Sequence, residues 1–177
     1  MNTGADSSHL CLILGGARSG KSRLAFTLAG QALPKAFVAT GEAGDEEMAA
    51  RIRKHQADRD PAWETQEIPI DVSGWLKTHG AAYKTVVIDC LTLWLSNLLC
   101  SGIQPSQIPV YTDELMQSAR MVPGTVVLVS NEVGLGIVPG DAVTRQFRDL
   151  AGVMNQRVAA AADAVYLSVS GLPVQLK

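Results

Sequence analysis

The chain has 177 residues, of which 47% are apolar and 18% charged, and its formal net charge is −2. This length and composition predict one globular domain with a substantial core, and the charge argues against binding to nucleic acid or an anionic membrane. No apolar run approaches the roughly 20 residues of a membrane-spanning helix. Residues 1–8, which we expect to be a flexible extension, carry no signal-peptide pattern. The sequence thus predicts a single cytoplasmic domain over residues 1–177.

A glycine-rich loop follows the first predicted strand. Residues 9–14 are an apolar run typical of a buried strand, and apolar residues at helical spacing follow Ser22. The segment between them fits G-x-x-x-x-G-K-[ST] at every fixed position, and in such loops backbone N–H groups surround a β-phosphate. Lys21 would act on the β/γ oxygens, and the Ser22 hydroxyl would ligate Mg²⁺. The predicted nucleoside triphosphate loop comprises Gly15, Gly16, Ala17, Arg18, Ser19, Gly20, Lys21 and Ser22.

Strand-like and helix-like runs alternate through the rest of the chain, which predicts an α/β fold with a mostly parallel sheet flanked by helices. We expect strands at 35–40, 85–89, 125–130 and 164–169, an extended piece at 63–70, and an antiparallel edge strand at 174–177. We expect helices at 45–58, 72–78, 91–99, 111–121 and 143–162. The segments 101–109 and 131–141 are rich in Gly or Pro and predict loops.

Two acidic residues follow predicted buried strands. Asp89 ends the run 85–89, where a carboxylate beside the phosphate loop would hold Mg²⁺ directly or through water. It also precedes the helix at 91–99, so an acidic N-cap is the structural alternative. Glu132 follows the strand at 125–130 and would either polarise a water or hydroxyl or anchor its own loop. The Asn-Lys-x-Asp pattern of guanine-specific switch GTPases is absent from residues 130–133.

The predicted helix at 45–58 carries a histidine among arginines. Glu47, Arg51, His55 and Arg59 are spaced by four and would share one helix face. A solvated stripe of salt bridges with an incidental histidine is one interpretation. The other is a nucleophilic imidazole flanked by guanidinium groups that bind phosphates. Spacing alone leaves both open.

Cysteines and tryptophans suggest no further chemistry. Cys11, Cys90 and Cys100 are odd in number and lack metal-ligand spacing, which predicts free thiols, buried where they lie in apolar runs. The three tryptophans are most simply core or interface aromatics.

Over residues 12–177 the chain resembles the bifunctional adenosylcobinamide kinase / adenosylcobinamide-phosphate guanylyltransferase family of cobalamin biosynthesis. The phosphate loop alone would be generic. The specific match rests on Val-Ala-Thr at 38–40, Asp-Glu-Glu-Met-Ala-Ala-Arg-Ile at 45–52 with His55 and Arg59, Trp-Glu-Thr at 63–65, Ser-Asn-Glu-Val-Gly at 130–134 with Gly-Ile-Val-Pro at 136–139, and Arg-Asp-Leu-Ala-Gly at 148–152 with Asn-Gln at 155–156.

The resemblance implies a RecA-like P-loop fold, a homotrimer and two reactions. The first is transfer of the γ-phosphoryl group of ATP or GTP to adenosylcobinamide. The second is transfer of GMP from GTP to adenosylcobinamide phosphate through a phosphoramidate, which the resemblance assigns to His55. It implies nucleotide contacts beyond the loop at Thr40, Gly41, Glu42, Gln56, Ala57, Asp58, Arg59, Glu67 and Asp89, with Ser22 and Asp89 at the metal. Several members have a more basic run after the histidine than Gln-Ala-Asp, so Arg59 is the leading phosphate contact of that stretch.

Two other functions fit parts of the same pattern. A simple small-molecule kinase would use the phosphate loop while His55 served only structure. A nucleotide-dependent regulatory protein would bind the triphosphate without turning over a small substrate.

Overall fold

A computed structural model of the chain describes residues 8–42, 46 and 60–177. Within this part of the chain, seven strands alternate with five α-helices. The strands are β1 (His9–Gly15), β2 (Lys35–Ala39), β3 (Trp63–Glu67), β4 (Thr85–Asp89), β5 (Thr125–Val129), β6 (Ala164–Val169) and β7 (Leu172–Gln175). The helices are α1 (Lys21–Ala29), α2 (Val72–His79), α3 (Leu91–Cys100), α4 (Ile108–Arg120) and α5 (Ala142–Ala161). The predicted α/β class is confirmed.

The strands form one sheet in the order β3-β2-β4-β5-β1-β6-β7. Every neighbouring pair is parallel except β6 and β7. Parallel neighbours need long crossovers, such as those that contain the described helices, whereas the antiparallel pair is joined by a tight turn. The predicted antiparallel C-terminal edge strand is therefore present.

Both faces of the sheet are covered at its inner strands, which explains why β1, β4 and β5 are almost continuously apolar. Alternate residues of β1 point to opposite faces: Leu10 and Leu12 enter the core beneath α2, α3, α4 and α5. Cys11 and Ile13 enter a smaller core beneath α1. All three tryptophans are buried, as predicted for core aromatics, and Trp94 lies fully inside the larger core.

Two predicted boundaries are wrong. The expected loop at 101–109 contains a 3₁₀ turn, Pro105–Gln107, and α4 begins already at Ile108. Its proline lies in the first turn of the helix, where the missing N–H has no intrahelical partner to lose. The final strand begins at Leu172 rather than at residue 174, because Ser170 and Gly171 both adopt positive φ in a two-residue turn.

The predicted helix at 45–58 falls largely outside the described residues; Glu46 alone is described, and it is helical. Among the helices of the described ranges, none has the length and hydropathy to span a bilayer.

Candidate nucleotide site

Several predicted site residues meet at the carboxyl edge of the sheet. Ala39 is in register with Asp89 on one side and with Glu67 on the other. Asp89 is in turn level with Val129, the last residue of β5, and Val129 is level with Ile13 of β1. Carboxyl ends of parallel strands are the usual place for ligands in open α/β sheets. The strand order thus brings Thr40, Glu67 and Asp89 to the edge from which the phosphate loop emerges.

The phosphate loop connects β1 to α1 through two glycines that a larger residue could not replace. Gly20 is the N-cap of α1 and has φ +99°, a conformation that side chains rarely adopt. A Cβ on Gly20 would lie 3.0 Å from Gly171 Cα, and one on Gly15 would lie 2.5 Å from the Ser168 carbonyl oxygen. The loop is therefore packed closely against the turn that joins β6 and β7.

Lys21 lies at the start of α1 with its side chain folded along the loop. Its Nζ donates a hydrogen bond to the Gly16 carbonyl at 2.7 Å, and the residue is buried. Ser19 is also buried, and among the described residues its Oγ is the buried side-chain polar atom without a hydrogen-bond partner. A buried hydroxyl that lacks a partner calls for an explanation, and a bound anion would supply the acceptor.

Ser22 and Asp89 lie together although one belongs to α1 and the other to β4. The Ser22 hydroxyl donates to Asp89 Oδ2 at 3.3 Å. Cys90, not Asp89, is the N-cap of α3, and no side chain caps that helix. The acidic N-cap interpretation of Asp89 is therefore wrong, and its carboxylate is placed beside the phosphate loop.

This pair fits a magnesium ion. Hydroxyl and carboxylate oxygens are hard donors, and Mg²⁺ usually takes one or two protein ligands while phosphates and waters complete its shell. The described ranges contain no cluster of three or more His, Cys, Asp or Glu side chains that could hold a metal ion by themselves. Ser22 and Asp89 would hold the ion against the bound phosphates, where it would neutralise developing charge.

Thr40 joins the ends of β2 and β4. Its buried hydroxyl donates to the Cys90 carbonyl at 2.7 Å and accepts from the Cys90 N–H at 2.8 Å, while its own N–H donates to the Asp89 carbonyl. The Asn97 amide on α3 donates to the Thr40 carbonyl at 2.7 Å. These bonds fix the Asp89–Cys90 peptide, which directly follows the Asp89 side chain. No sequence spacing indicated that Thr40 and Asn97 would support Asp89.

The segment after β5 also reaches the loop. The Glu132 N–H donates to the Gly15 carbonyl at 3.1 Å. Its carboxylate accepts from the Gly134 N–H at 2.7 Å, which favours the loop-anchoring interpretation of Glu132. The Ser130 hydroxyl donates to Asn155 Oδ1 on α5 at 2.7 Å within the core. The Asn-Glu segment and the Asn on α5 are thus structurally linked through this buried bond.

The structure describes some of the remaining predicted site residues but not others. Glu42 and Glu67 are exposed at the carboxyl edge, and Gly41 is half-buried against Leu93. Gly16, Ala17 and Arg18 form the exposed top of the loop, and Arg18 has φ +56°. Five predicted residues lie outside the described part of the chain: His55, Gln56, Ala57, Asp58 and Arg59.

Burial raises the pKa of two thiols, that of Cys11 within β1 and that of Cys90 directly after Asp89. The pKa of Cys11 is raised to about 11. That of Cys90 is raised first by burial and then by the negative charge of Asp89. Both thiols are therefore uncharged at neutral pH and act as packing groups.

Comparison with protein families gives one match that spans the chain. A family model described as cobinamide kinase / cobinamide phosphate guanyltransferase matches residues 11–176. The chain is 43% identical to the bifunctional adenosylcobalamin biosynthesis protein CobP of Pseudomonas aeruginosa, over 94% of this chain and 96% of that protein. It is 40% identical to the corresponding protein CobU of Salmonella typhimurium, over 95% of this chain and 99% of the relative.

Solved structures agree with the fold. A KaiC-like protein from Pyrococcus horikoshii is similar with a TM-score of 0.50 and 14% identity, over 90% of this chain and 70% of its own. The P4 protein of bacteriophage phi6, solved with ADP, gives a TM-score of 0.50 and 19% identity, over 93% of this chain and 52% of its own. At these identities the likeness shows the fold alone.

Proposed function

The chain belongs to the cobinamide kinase / cobinamide phosphate guanyltransferase family, and on this premise we propose that one nucleotide site performs two transfers. The protein is an enzyme of cobalamin biosynthesis that phosphorylates cobinamide and then guanylylates the product. The observation that carries the proposal is the placement of Ser22, the residue after Lys21, beside Asp89, with 3.3 Å between the hydroxyl and the carboxylate. Lys21 and a metal ion held by Ser22 and Asp89 would then act on the same triphosphate.

In the first transfer, the free hydroxyl of adenosylcobinamide attacks the γ-phosphorus of ATP or GTP. The O–P bond forms as the β–γ bridging bond breaks, the hydroxyl proton passes to solvent, and the nucleoside diphosphate departs. Lys21 and a Mg²⁺ ion held by Ser22 and Asp89 would stabilise the charge on the transferred group and on the leaving oxygen.

In the second transfer, the neutral imidazole of His55 attacks the α-phosphorus of GTP and pyrophosphate leaves. The resulting N–P bond is broken when a phosphate oxygen of adenosylcobinamide phosphate attacks, which gives adenosylcobinamide-GDP and restores the imidazole. Arg59 would balance the negative charge of the pentacoordinate state. Residues 40–42, Gln56, Ala57, Asp58 and Glu67 would complete the contacts to the nucleotide.

Labelling with GTP radioactive at the α-phosphorus tests this proposal. We expect an acid-labile, base-stable adduct on the protein in the presence of Mg²⁺, and we expect His55→Ala to abolish it while cobinamide phosphorylation continues. His79→Ala is the matched control, because His79 is exposed at the end of α2, where its ring stacks on that of Trp75. An adduct that survives His55→Ala would overturn the role of His55. No adduct on the wild-type protein, with kinase activity intact, would leave a simple small-molecule kinase.

GTP hydrolysis that adenosylcobinamide does not stimulate, with no transfer to the corrinoid, would instead favour a regulatory nucleotide-binding protein. Steady-state hydrolysis with and without adenosylcobinamide separates these outcomes.

A homotrimer is part of the proposal. The exposed apolar side chains of the described residues include two sets in different parts of the chain. One lies on the segment after β5 (Leu135 83% and Ile137 98% exposed), and the other on β7 and the residue after it (Leu172, Val174 and Leu176). A closed ring uses two different surfaces of each copy, so such a pair of patches suits a cyclic assembly. Light scattering should then give three times the 18.8 kDa chain mass; a monomer or dimer would contradict this.

The proposed location is the cytoplasm. All three cysteines, Cys11, Cys90 and Cys100, are free, as is usual in reducing compartments.

A further inference from the structure

The end of β6 and the turn between β6 and β7 contact the phosphate loop next to the start of α1. Gly15, the last residue of β1, is in register with Ser168 of β6. Two residues further on, Ser170 and Gly171 reverse the chain with φ values of +52° and +82°. This geometry places Ser168 and Gly171 against the Ser19–Gly20 peptide of the phosphate loop.

Both hydrogen bonds from this turn go to one carbonyl. The Ser168 hydroxyl donates to the Ser19 carbonyl oxygen at 2.7 Å, and the Gly171 N–H donates to the same oxygen at 2.8 Å. Ser168 is only 2% exposed, so its bond is shielded from water. A carbonyl oxygen has two lone pairs, and both are used here. The direction of this carbonyl is therefore fixed by residues nearly 150 positions away in the sequence.

A fixed carbonyl also fixes the next amide. A trans peptide unit is planar, and its C=O and N–H point in opposite directions. Since the Ser19 carbonyl points at the turn, the Gly20 N–H points away from it. A Cβ at position 20 would lie only 3.0 Å from Gly171 Cα, so a residue larger than glycine would press against the turn. In a glycine-rich loop that precedes a helix, such an N–H is a donor to a bound phosphate.

We propose that Ser168 is a positioning residue for nucleotide binding: with Gly171, it orients the Ser19–Gly20 peptide so that the Gly20 N–H faces the β-phosphate. This inference rests on the proposed nucleotide site and assigns that site a support outside the phosphate loop. Ser168 itself does not touch the nucleotide. Its effect is confined to the part of the ligand that the loop holds.

Equilibrium binding of GMP and GDP to the full-length protein tests this role. Ser168→Ala removes one of the two bonds, and we expect the Kd for GDP to rise about 3- to 10-fold, as one hydrogen bond of ordinary strength predicts. The Kd for GMP, which lacks a β-phosphate, should stay unchanged. Calorimetric titration fits the active fraction separately from Kd, so a partly unfolded sample does not imitate the effect.

Ser118→Ala is the matched control. Ser118 is fully buried, and its hydroxyl donates to the Glu114 carbonyl at 2.8 Å within α4. This substitution should leave the affinities for both nucleotides as in the wild type. An unchanged GDP affinity in Ser168→Ala, or an equal loss for GMP and GDP, would overturn the inference.

Lys21→Ala separates the two proposals: if it weakens GDP binding while Ser168→Ala does not, the nucleotide site stands and only the role of Ser168 fails. If the wild-type protein binds no GDP, both fail.

Discussion

The Ser22 hydroxyl lies 3.3 Å from Asp89 Oδ2, although 67 positions separate the two residues. This contact joins the start of α1 to the end of β4 across the intervening strand β5. It places the Ser22 hydroxyl, at the end of the phosphate loop, next to the Asp89 carboxylate. The backbone of Asp89 is fixed by a hydrogen bond from the Thr40 N–H to the Asp89 carbonyl. Nucleotide chemistry at this edge of the sheet would depend on both residues.

Asp89→Asn should raise the Mg²⁺ requirement of both transfers. Loss of the negative charge weakens the binding of Mg²⁺, whether the carboxylate contacts the ion directly or through water. We expect the Mg²⁺ concentration for half-maximal activity to rise about 10- to 100-fold. Activity measured against Mg²⁺ at constant GTP checks this. Asp149→Asn, which removes an exposed carboxylate paired with Arg148, should leave the Mg²⁺ curve in place. An unshifted curve for Asp89→Asn would contradict the metal role.

Lys21→Ala should lower kinase and guanylyl transfer together. A single triphosphate site serves both reactions, and loss of one preorganised cation at the phosphates costs about 10²- to 10³-fold in rate. Separate assays of phosphorylated and guanylylated cobinamide give the two rates. The control is Lys77→Ala, which removes a surface lysine paired with Glu114. Guanylyl transfer at the wild-type rate in Lys21→Ala would require a second nucleotide site.

Thr40→Val should destabilise the protein although valine has nearly the same shape as threonine. The reason is that the Cys90 N–H would lose its partner in a fully buried position. An unsatisfied buried donor costs about 1–3 kcal/mol, which urea denaturation would measure as a lower free energy of unfolding.

Thr112→Val provides the comparison for that experiment. Thr112 is also fully buried, and its hydroxyl donates to the Ile108 carbonyl in the first turn of α4. That carbonyl keeps the N–H partner of the regular helix, so the loss should be smaller. Equal losses in the two variants would show that the Thr40 bonds to Cys90 have no special weight.

Asp163 should make stability depend on pH in the acid range. The hydrogen bond from Arg120 and that from the Leu10 N–H lower the pKa of Asp163 to about 2. An unfolded aspartate titrates near about 3.9, so this stabilisation is complete above that pH and is lost as pH falls through about 2. Because both side chains are about one-third exposed, we expect a contribution of only about 1 kcal/mol.

Urea denaturation of Asp163→Asn at several pH values measures this contribution. The variant should be less stable than the wild type at pH 7, and its stability should fall less between about pH 5 and pH 2. Asp113→Asn removes another Arg-paired carboxylate, that of the Asp113–Arg157 bridge, which makes no bond to β1. Parallel pH curves for wild type and Asp163→Asn would contradict the prediction.

Local patterns account for what could be predicted from the sequence. The apolar runs at β1, β4, β5 and β6 are buried strands because both faces of a parallel sheet are covered. The glycines and Lys21 lie within one loop, so their spacing alone indicated a phosphate site. The wrong boundary at Ile108 has a local cause as well, since proline is a helix breaker in most positions but is tolerated in the first turn.

Contacts between distant residues could not be read in this way. The sequence of this protein determined by itself the phosphate loop and the alternation of strands and helices, because each depends on residues within one short segment. It also determined the family, because the family is identified by a series of such short segments along the chain. Only the tertiary structure decided that Asp89 meets Ser22 rather than capping α3. It also decided that Thr40 holds Cys90 and that Ser168 holds the Ser19 carbonyl. Those pairings follow from the order and register of strands, which are set by packing of the whole sheet.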